Sequence, residues 1–483
     1  MSPIVATRPT PGTPRPYDFP PFERTRLANG LSVIAVHIPG RELISATLLL
    51  RNGAAGEPAE HAGATVMAAR ALSEGTERYD AIALTEATER LGASLHAEAG
   101  WDALSAGVDV PVSRLGAALE LLAEMAGRPT FPESEVERLR DERLNDLLQA
   151  RADPRRRVEE AFSATIFSAA SPYHRPAGGR RETVHGLDPA ALRAAYRRGF
   201  DPARMTLIVG GDLVGIDVPA LSADLFGGWS AAAEAAPSDP PIADPALSER
   251  LVRVVHRPGA VQTEIRIGHI GMARRIPDFH AVSVMATILG GLFNSRLNMK
   301  LREEKGYTYG SGASFDLRRA PGPFAARAAV NTEVTVPAIV DMLGELTRMR
   351  DARVTDGELR GARDFLIGVF PLRFETPGPV VGALAGIVTH DLPDDELKRY
   401  RPSIEAVTVD DVQRAAVEHV LPDRAAIVLV GDADAFAAEL EAAGVGRVII
   451  EREGMAPTDD SSPPDAGAGP IEGAPESDRA DVD

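Results

Sequence analysis

The sequence predicts an α+β fold made of two homologous halves, each a mixed, mostly antiparallel sheet packed with helices. The first observation behind this prediction is a repeat, because residues 200–212 are echoed by residues 420–432. The second is that strand-like and helix-like patterns recur in both parts of the chain. The third is a stretch between the two copies, residues 231–248, whose Ala, Pro, Ser and Asp content is typical of a linker.

The repeated segment keeps its key residues in both copies. Pro202, Arg204, Gly211 and Asp212 each recur 220 positions later. In each copy a helical pattern, at residues 190–198 and 409–420, leads through a Pro turn into a continuous apolar strand that ends at Gly-Asp. This repetition favours a duplicated unit, the alternative being a chance resemblance between two helix–turn–strand endings.

The first half begins with strand patterns. These lie at residues 31–36 and 44–50, and Asn29-Gly30 before the first is a strong turn signal. We therefore expect a hairpin to open the domain. Alternation across residues 92–110 predicts two further paired strands. Apolar residues at helical spacing predict helices at residues 61–72, 81–91, 114–126 and 133–151.

The second half repeats this pattern. Strand signals and helical patterns alternate at residues 251–255, 263–267, 279–289 and 334–348. The chain is accordingly predicted to have five parts: a Pro-rich N-terminal arm (1–22), an N-terminal α+β half (23–230), a linker (231–248), a C-terminal α+β half (249–452) and a disordered acidic tail (453–483).

Composition and charge exclude several classes of function. The formal net charge of -18 argues against a nucleic-acid partner, because phosphate binding draws its affinity from clustered Lys and Arg. The chain has no cysteine, so a disulfide framework, a thiolate metal site and a cysteine nucleophile are excluded. With neither an apolar run of about 18 residues nor a secretory signal, we expect a cytoplasmic protein with no membrane partner.

The most informative segment spans residues 289–309. It reads LGGLFNSRL at residues 289–297 and LREEKGYTY at residues 301–309. The segment resembles the substrate-holding block of the pitrilysin/insulinase family of zinc peptidases, and further similarity in the expected order extends this resemblance over residues 22–451. The resemblance implies a processing-peptidase/pitrilysin-like fold of two α+β halves per chain, with two chains paired as a clamshell around a closed chamber.

The resemblance also implies a role for Arg302 and Tyr309. In that family an Arg and a Tyr at this spacing lie opposite the metal and hold the peptide backbone, and both can donate hydrogen bonds to carbonyl groups. Taken alone, Arg302 would be an ordinary solvated residue at a helix end and Tyr309 an ordinary strand residue. The length of the matching block favours the functional interpretation, with Tyr307 as the competing tyrosine.

The zinc site of the family is a His-x-x-Glu-His helix just before a Gly-Thr pair, with a carboxylate from a later helix as third protein ligand. Aligning the chain on the Gly-Thr pair at residues 75–76 gives the three motif positions and the third-ligand position as Val66, Ala69, Arg70 and Asp146. Val66 has no lone pair, Ala69 cannot take a proton, and Arg70 brings a fixed positive charge. We therefore expect a degenerate zinc site, no cofactor in this chain, and as a further hypothesis an ion pair between Arg70 and Asp146.

No other catalytic motif stands out. The ten histidines never fall at i, i+4 spacing with one another, and no His-x-x-Glu-His or its reverse occurs. A metal site assembled from distant segments stays open as an alternative, although isolated histidines are more often surface or core groups. No serine lies in a Gly-x-Ser-x-Gly elbow, and neither half has a dinucleotide or phosphate-loop glycine pattern.

These expectations combine into one functional prediction. The chain is predicted to be a non-catalytic, substrate-holding subunit of a heterodimeric zinc peptidase, whose homologous partner subunit carries the zinc and the water-activating Glu. Arg302 and Tyr309 would then hold a peptide substrate at the partner's active site. Two alternatives stay open: a structural scaffold subunit similar to the core proteins of respiratory cytochrome complexes, and an autonomous peptide-binding pseudoenzyme that sequesters without cleaving.

Overall fold

Two six-stranded sheets form the framework of the protein. The structure is a computed structural model that describes residues 12, 15–236 and 247–452. The strands of the first sheet are β1 (Phe22–Arg26), β2 (Ser32–His37), β3 (Leu43–Leu50), β4 (Ser94–Ala99), β5 (Leu104–Pro111) and β6 (Met205–Gly211). The strands of the second sheet are β7 (Leu251–His256), β8 (Gln262–Ile270), β9 (Ser311–Phe315), β10 (Pro323–Asn331), β11 (Ala426–Gly431) and β12 (Arg447–Arg452).

Helices cover both sheets. Those that precede the linker are α1 (Ala64–Ala71), α2 (Ala81–Arg90), α3 (Leu115–Gly127), α4 (Glu133–Ala152), α5 (Pro154–Ile166), α6 (Arg181–Val184), α7 (Pro189–Gly199) and α8 (Val218–Phe226). Those that follow it are α9 (Phe279–Ala286), α10 (Arg296–Asn298), α11 (Thr335–Asp351), α12 (Asp356–Val369), α13 (Pro377–Thr389), α14 (Glu396–Ala406), α15 (Val409–His419) and α16 (Ala433–Ala442). Within the described ranges, no helix combines the length and the apolar character needed to cross a lipid bilayer.

The two sheets share their topology apart from one edge strand. The strand order is β1-β2-β6-β3-β5-β4 in the first sheet and β12-β7-β11-β8-β10-β9 in the second. β6 runs parallel to β2 and antiparallel to β3, and β11 has the same relation to β7 and β8. Every residue of β6 and β11 is buried, which explains why both have continuous apolar sequences. The predicted α+β fold with two equivalent halves is confirmed.

The Gly-Asp endings of the repeated segment have the same structural role in both halves. Asp212 accepts a hydrogen bond from the backbone N–H of Gly40 at 3.0 Å. Asp432 accepts the equivalent bond from Gly259 at 2.9 Å. Each aspartate thus fixes the loop that leaves the neighbouring strand, β2 or β7. The shared geometry supports the interpretation of the repeat as a duplicated unit.

The predicted opening hairpin is wrong in its pairing. The strand patterns at residues 31–36 and 44–50 form β2 and β3, but β6 lies between these strands in the sheet. The turn at Asn29-Gly30 instead joins β1 to β2, with Gly30 at a φ of 90°. The apolar β6 takes the central position because a strand there is buried on both faces.

The two halves exchange helices across their boundary. α5, from the first half of the sequence, packs on β8 and β11 of the second sheet. α13, from the second half, packs on β3 and β6 of the first sheet. Phe162 of α5 and Val381 of α13 are each 1% exposed in these contacts. The predicted linker therefore divides the sequence but does not divide the hydrophobic packing.

The described end of the N-terminal arm belongs to the same packing. The ring of Phe19 is buried and meets Phe374 edge-on, with 5.1 Å between the ring centroids. Tyr17 stacks on Phe374 at 6.4 Å. The end of the predicted arm is thus anchored between elements of both halves. Residues 1–11, 13–14 and 237–246 and the predicted acidic tail lie outside the described residues.

Candidate functional site

Helix α1 carries the positions predicted for a degenerate zinc motif. Val66 is partly buried, Ala69 is completely buried, and Arg70 is exposed in the last turn. The carboxylate of Glu57 accepts hydrogen bonds from backbone N–H groups of the N-cap and first turn of this helix. The helix is therefore firmly placed, although none of the three motif positions offers a metal ligand.

The predicted ion pair between Arg70 and Asp146 is wrong. Arg70 Nη2 donates to Glu142 Oε2 at 3.0 Å, and Glu142 precedes Asp146 by one turn of α4. Residues four apart in a helix lie on the same face, so the alignment selected the correct face of α4 and missed the partner by one turn. Glu142 also accepts a hydrogen bond from Arg138 at 2.6 Å, which holds its carboxylate beside α1.

Asp146 is held by two other arginines. Arg143 Nη1 donates to it at 2.5 Å, and Arg156 of α5 donates through Nη1 and Nη2 at 2.7 and 3.0 Å. The hydrogen bonds from Arg156, with the charge of Arg143, lower the pKa of the Asp146 carboxyl. Burial lowers the pKa of the Arg143 guanidinium. The carboxylate predicted at the third-ligand position therefore directs its lone pairs to guanidinium groups.

Positive charge surrounds the position at which the resemblance places a zinc ion. Arg70, Arg143 and Arg156 bring three guanidinium groups, which are paired with the carboxylates of Glu142 and Asp146. A divalent cation here would be repelled by three fixed positive charges and would find no imidazole at the motif positions. The residues at this position do not fit a zinc ion.

The second predicted site begins on a π-helical segment. Met299–Glu304 forms this segment, and another π-helical segment, Thr287–Gly291, precedes it. Short π-helices often occur at functional sites. The guanidinium carbon of Arg302 lies 4.4 Å from the centroid of the Phe293 ring, and its Nε lies 3.4 Å from Glu303 Oε1. The ring and the carboxylate hold Arg302 at the surface, where its terminal N–H groups can donate to a peptide.

Tyr309 lies in a short loop that is fixed at both ends. Before it, the backbone N–H of Tyr307 donates to Leu301 O at 2.8 Å. After it, the backbone N–H of Ser311 donates to Asn298 Oδ1 at 2.7 Å. Tyr307 is partly buried against the core of the second half, whereas Tyr309 is 94% exposed. The loop therefore presents Tyr309, and not its competitor, to solvent.

Two other residues of the matched block position this loop. Gly290 packs so closely on β9 that a Cβ atom there would lie 2.0 Å from the backbone nitrogen of Ala313. Arg296 is 7% exposed and pairs with Glu358 of α12 at 2.6 and 3.2 Å. These residues join the π-helical segments to β9 and α12. Their roles are structural, and they support the surface that carries Arg302 and Tyr309.

The structure does not bring the two predicted sites together. Arg302 and Tyr309 lie in the second half, and the positions on α1 and α4 lie in the first. Within the described part of the chain, no hydrogen bond, ion pair or ring contact joins Arg302 to Tyr309, or either of them to Arg70 or Asp146. A single chain thus presents two separate surfaces.

The free edge strands of the two sheets end at a common contact. β4 and β9 are the last strands of their sheets, and the backbone N–H of Arg319, after β9, donates to Asp102, after β4, at 2.9 Å. The guanidinium carbon of Arg318 lies 4.7 Å from the Trp101 ring and 4.4 Å from the Tyr173 ring. These contacts fix the two halves relative to each other.

Two cavities of different charge flank this contact. The acidic cavity, of about 530 Å³, lies between the first sheet and α13 and is lined by Glu98 and Asp109 among others. The basic cavity, of about 450 Å³, lies between α4, α5 and the second sheet and is lined by six arginines. Both cavities are lined by Trp101, Asp316 and Arg318. The space between the halves therefore has an acidic side and a basic side, which meet at these three shared residues.

One group of side chains elsewhere has the spacing of metal ligands but serves the fold. His256, Asp432 and Asp434 lie close together at the ends of β7 and β11. His256 Nδ1 accepts a hydrogen bond from the backbone N–H of Ala433 at 3.2 Å, and Asp434 pairs with Arg452 at 2.5 Å. With these atoms already bonded, the group is better explained as a clamp on the duplicated Gly-Asp ending.

A second such group joins two helices of the second half. It consists of Asp278, Glu418 and His419. His419 Nε2 and Asp278 Oδ2 lie 2.8 Å apart, which connects α15 to the start of α9, and Glu418 is exposed. Because His419 and Asp278 are already bonded to each other, the group is better explained as a contact between α15 and the start of α9.

Sequence reasoning missed several residues that shape these sites. Phe293 and Asn298 lie inside the matched block, but their contacts with Arg302 and Ser311 depend on the fold of the π-helical segments. Trp101 had a signal in the sequence, since it is one of only two tryptophans and follows the alternating pattern of β4. The grouping of arginines around the basic cavity had no signal in the sequence, because these arginines come from distant segments.

Comparison with known proteins identifies one family. A family model described as "Insulinase (Peptidase family M16)" matches residues 32–176, and one described as "Peptidase M16 inactive domain" matches residues 186–366. An uncharacterized zinc protease of Streptomyces coelicolor is 25% identical over 422 residues, which cover 84% of this chain and 89% of that protein. The "Non-peptidase homolog YmxG" of Helicobacter pylori is 24% identical over 340 residues, 68% of this chain and 75% of that protein.

Solved structures share the fold. The peptidase M16 inactive domain from Pseudomonas fluorescens superimposes with a TM-score of 0.78 at 24% identity, covering 85% of this chain and 98% of that one. A protease from Helicobacter pylori gives a TM-score of 0.80 at 20% identity, covering 86% and 100%. At these identities the likeness bears on the fold alone. The two family models, which together span most of both halves, agree with the matched block and the topology: the chain belongs to the M16, or insulinase, family of peptidases and their homologues.

Proposed function

We propose that this chain is a non-catalytic, substrate-holding subunit of a heterodimeric M16 peptidase. The observation that carries the proposal is the contrast between its two predicted sites. The zinc-motif positions hold Val66, Ala69 and Arg70, whereas Tyr309 is exposed in a loop that is fixed at both ends. A chain that lacks metal ligands at one surface and presents two hydrogen-bond donors at another has the arrangement that a subunit holding substrate for another chain requires.

Arg302 and Tyr309 have the chemistry to hold a peptide. A guanidinium and a phenol both donate hydrogen bonds, and every peptide offers backbone carbonyl acceptors at regular spacing. Such contacts do not depend on the side chains of the substrate. The same two donors stabilise negative charge that develops on a scissile carbonyl, which is where donors contribute most to catalysis.

The proposed partner is a homologous M16 chain that carries an intact His-x-x-Glu-His helix and its zinc. The relatives support the existence of both kinds of chain, because one is named a zinc protease and another a non-peptidase homolog. The proposal assigns this chain to the second kind, with unstructured peptides as substrates and the cytoplasm as its location. The zinc would belong to the partner.

Complementation tests the proposal. The full chain is mixed with a zinc-bearing M16 homologue from the same source, and cleavage of an unstructured quenched peptide is measured for each chain and for the mixture. We expect cleavage to require the mixture, and kcat/KM to fall about tenfold or more with Arg302→Ala or Tyr309→Phe. Tyr307→Phe is the matched control, because the Tyr307 ring packs against the core.

The alternatives give different results in the same assay. A scaffold subunit would raise cleavage equally with or without Arg302→Ala and Tyr309→Phe. An autonomous peptide-binding pseudoenzyme would bind the peptide and leave the cleavage rate of the zinc-bearing chain unchanged. Stoichiometric zinc and cleavage in a preparation of this chain alone would overturn the proposal directly.

A further inference from the structure

The basic cavity lies beside the degenerate zinc position and faces the interior between the halves. Its six arginines come from six parts of the chain: α4, α5, the loop after α5, β8, the segment after β9, and β10. They are Arg143, Arg156, Arg175, Arg266, Arg318 and Arg327. Residues so far apart in sequence share one cavity because α5 of the first half packs on the second sheet.

Part of this positive charge is compensated within the chain. Arg143 and Arg156 share the single carboxylate of Asp146. Arg266 is almost completely buried and pairs with two carboxylates, Glu159 at 2.7 Å and Glu264 at 3.1 Å. These pairs fix the walls of the cavity.

The remaining arginines offer donors that the chain does not use. Among the described residues, Nη2 of Arg175 and Nη1 of Arg318 are buried with no hydrogen-bond partner. Arg327 is exposed on β10 and makes no ion pair within the described ranges. Burial lowers the pKa of Arg175, and the charge of Glu57 offsets only part of this effect. An anion placed in the cavity would accept a hydrogen bond from Nη2 of Arg175, which is buried without a partner.

We propose that the basic cavity binds a carboxylate of the peptide substrate, either a C-terminal carboxylate or an Asp or Glu side chain. This inference rests on the proposed substrate-holding function and adds a substrate class to it. The guanidinium fork matches a carboxylate in shape and donates two parallel hydrogen bonds to it. Arg175 and Arg327 supply the donors, and the paired arginines around them fix the walls of the cavity.

The surrounding charges favour a carboxylate over a more highly charged anion. Glu159, Glu160 and Asp316 also line the basic cavity, so the excess positive charge is small and suits a single negative charge. The neighbouring acidic cavity, with Glu98 and Asp109, repels carboxylates. A peptide that enters between the halves is therefore expected to place its carboxylate on the arginine side.

Peptide binding to the full chain alone tests this inference. Fluorescence anisotropy is measured with four labelled peptides of equal length: a neutral peptide with a free C-terminus, its amidated form, an amidated form with two Asp residues, and an amidated form with two Lys residues. We expect the free-carboxylate or the Asp peptide to bind about five- to tenfold more tightly than the neutral amidated one. Whichever of the two gains affinity identifies the source of the carboxylate.

Variants locate the binding site. Arg327→Gln is expected to abolish the preference for carboxylates, while Arg327→Lys retains part of it because the charge remains. Arg327 is exposed, so the fold is expected to survive, and thermal unfolding verifies this. Arg360→Gln is the matched control, because Arg360 is an exposed arginine of α12 that lines neither cavity. Arg175→Gln tests the buried donor in the same way.

The outcomes separate this inference from the proposed function. Equal affinity for all four peptides, or a carboxylate preference that Arg327→Gln and Arg175→Gln both leave unchanged, would overturn the inference. The measurement needs neither a partner nor cleavage. A carboxylate preference that depends on Arg327 would therefore stand even if complementation failed, and successful complementation would not rescue an absent preference.

Discussion

Arginine has opposite roles at the two predicted sites. At the degenerate zinc position, Arg70 and the pair that holds Asp146 fill the space with fixed positive charge. In the matched block, Arg302 is held on the face of Phe293 and its side chain is 39% exposed. The same type of side chain thus opposes a cation in one half and, in the proposed function, donates to a peptide in the other, because its partners differ.

Arg296 has a third role, which gives a prediction at the residue scale. Although burial raises the pKa of Glu358, the hydrogen bonds and charge of Arg296, together with hydrogen bonds from Thr355, outweigh it and lower that pKa to about 2. A carboxyl whose pKa is lower in the folded than in the unfolded state stabilises the fold above its unfolded pKa of about 4.3. This contribution is lost as the pH falls from about 4.3 towards 2.

We expect Arg296→Met to lower the free energy of unfolding at pH 7 by about 3 kcal/mol, the lower end for a broken buried ion pair, because Glu358 is partly exposed. The difference from the parent should shrink below pH 4 as Glu358 becomes protonated in both proteins. Urea unfolding at several pH values measures it. Arg399→Met, which removes an exposed pair with Asp395, is the control, and equal losses at pH 7 and pH 3 would contradict the prediction.

At the scale of elements, the two π-helical segments explain why the matched block has its pattern. Thr287–Gly291 packs on β9, and Met299–Glu304 carries Arg302. Asn298 and the backbone of Leu301 fix the two ends of the loop between this segment and β9. The small residues and the buried polar residues of the block serve this geometry, and the two exposed donors depend on it.

Adjacent glycines allow a matched test at this scale. A Cβ at Gly290 would lie 2.0 Å from Ala313 N, whereas a Cβ at Gly291 would come no closer than 3.4 Å to its neighbours. We expect Gly290→Ala to lower the free energy of unfolding by about 1–3 kcal/mol, because the π-helical segment must move away from β9. Gly291→Ala should change it much less. Thermal or urea unfolding measures both, and equal effects would show that close packing is not the reason for Gly290.

At the scale of the whole molecule, we expect the exchange of α5 and α13 to make the two halves unfold as one cooperative unit. Each helix belongs to one half by sequence and completes the hydrophobic packing of the other. The same exchange brings α5 with Arg156 to the second sheet and so creates the basic cavity. Folding and the proposed carboxylate site therefore depend on the same contact.

This coupling gives a prediction. We expect Phe162→Ala to destabilise the protein by about 3–5 kcal/mol, because it leaves a cavity between α5 and the second sheet. Hydrogen exchange should accelerate in β8 and β11 of the second half, although the substitution lies in the first. Arg155→Ala, at an exposed position of α5, is the control. Faster exchange confined to α5 would show that the halves are independent.

Much of the organisation could be predicted from sequence because it depends on local patterns. The helical spacing of apolar residues located α4 almost to the residue, with Val136 and Leu139 on its buried face. The repeat located β6 and β11 and their Gly-Asp endings. The block at residues 289–309 allowed the family resemblance, which the family models then confirmed.

Pairings between distant segments were beyond these patterns. The expected partner of β2 was β3, yet β6 lies between them, and the expected partner of Arg70 was Asp146, yet Glu142 holds it. Both errors have one cause. A periodic pattern indicates which face of an element is buried. It does not indicate which neighbouring element covers that face, or which of two successive turns of a helix lies within reach of a given side chain.

The sequence by itself determined the two-part α+β architecture, the absence of ligands at the zinc-motif positions, and the presence of Arg302 and Tyr309. Each of these depends on the identity or the spacing of residues near one another in the chain. Only the tertiary structure decided the exchange of helices, the pairing of Asp146 with two arginines, the exposure of Tyr309 in place of Tyr307, and the basic cavity. These depend on how buried surfaces from distant segments fit together, because close packing selects one arrangement from many that local patterns allow.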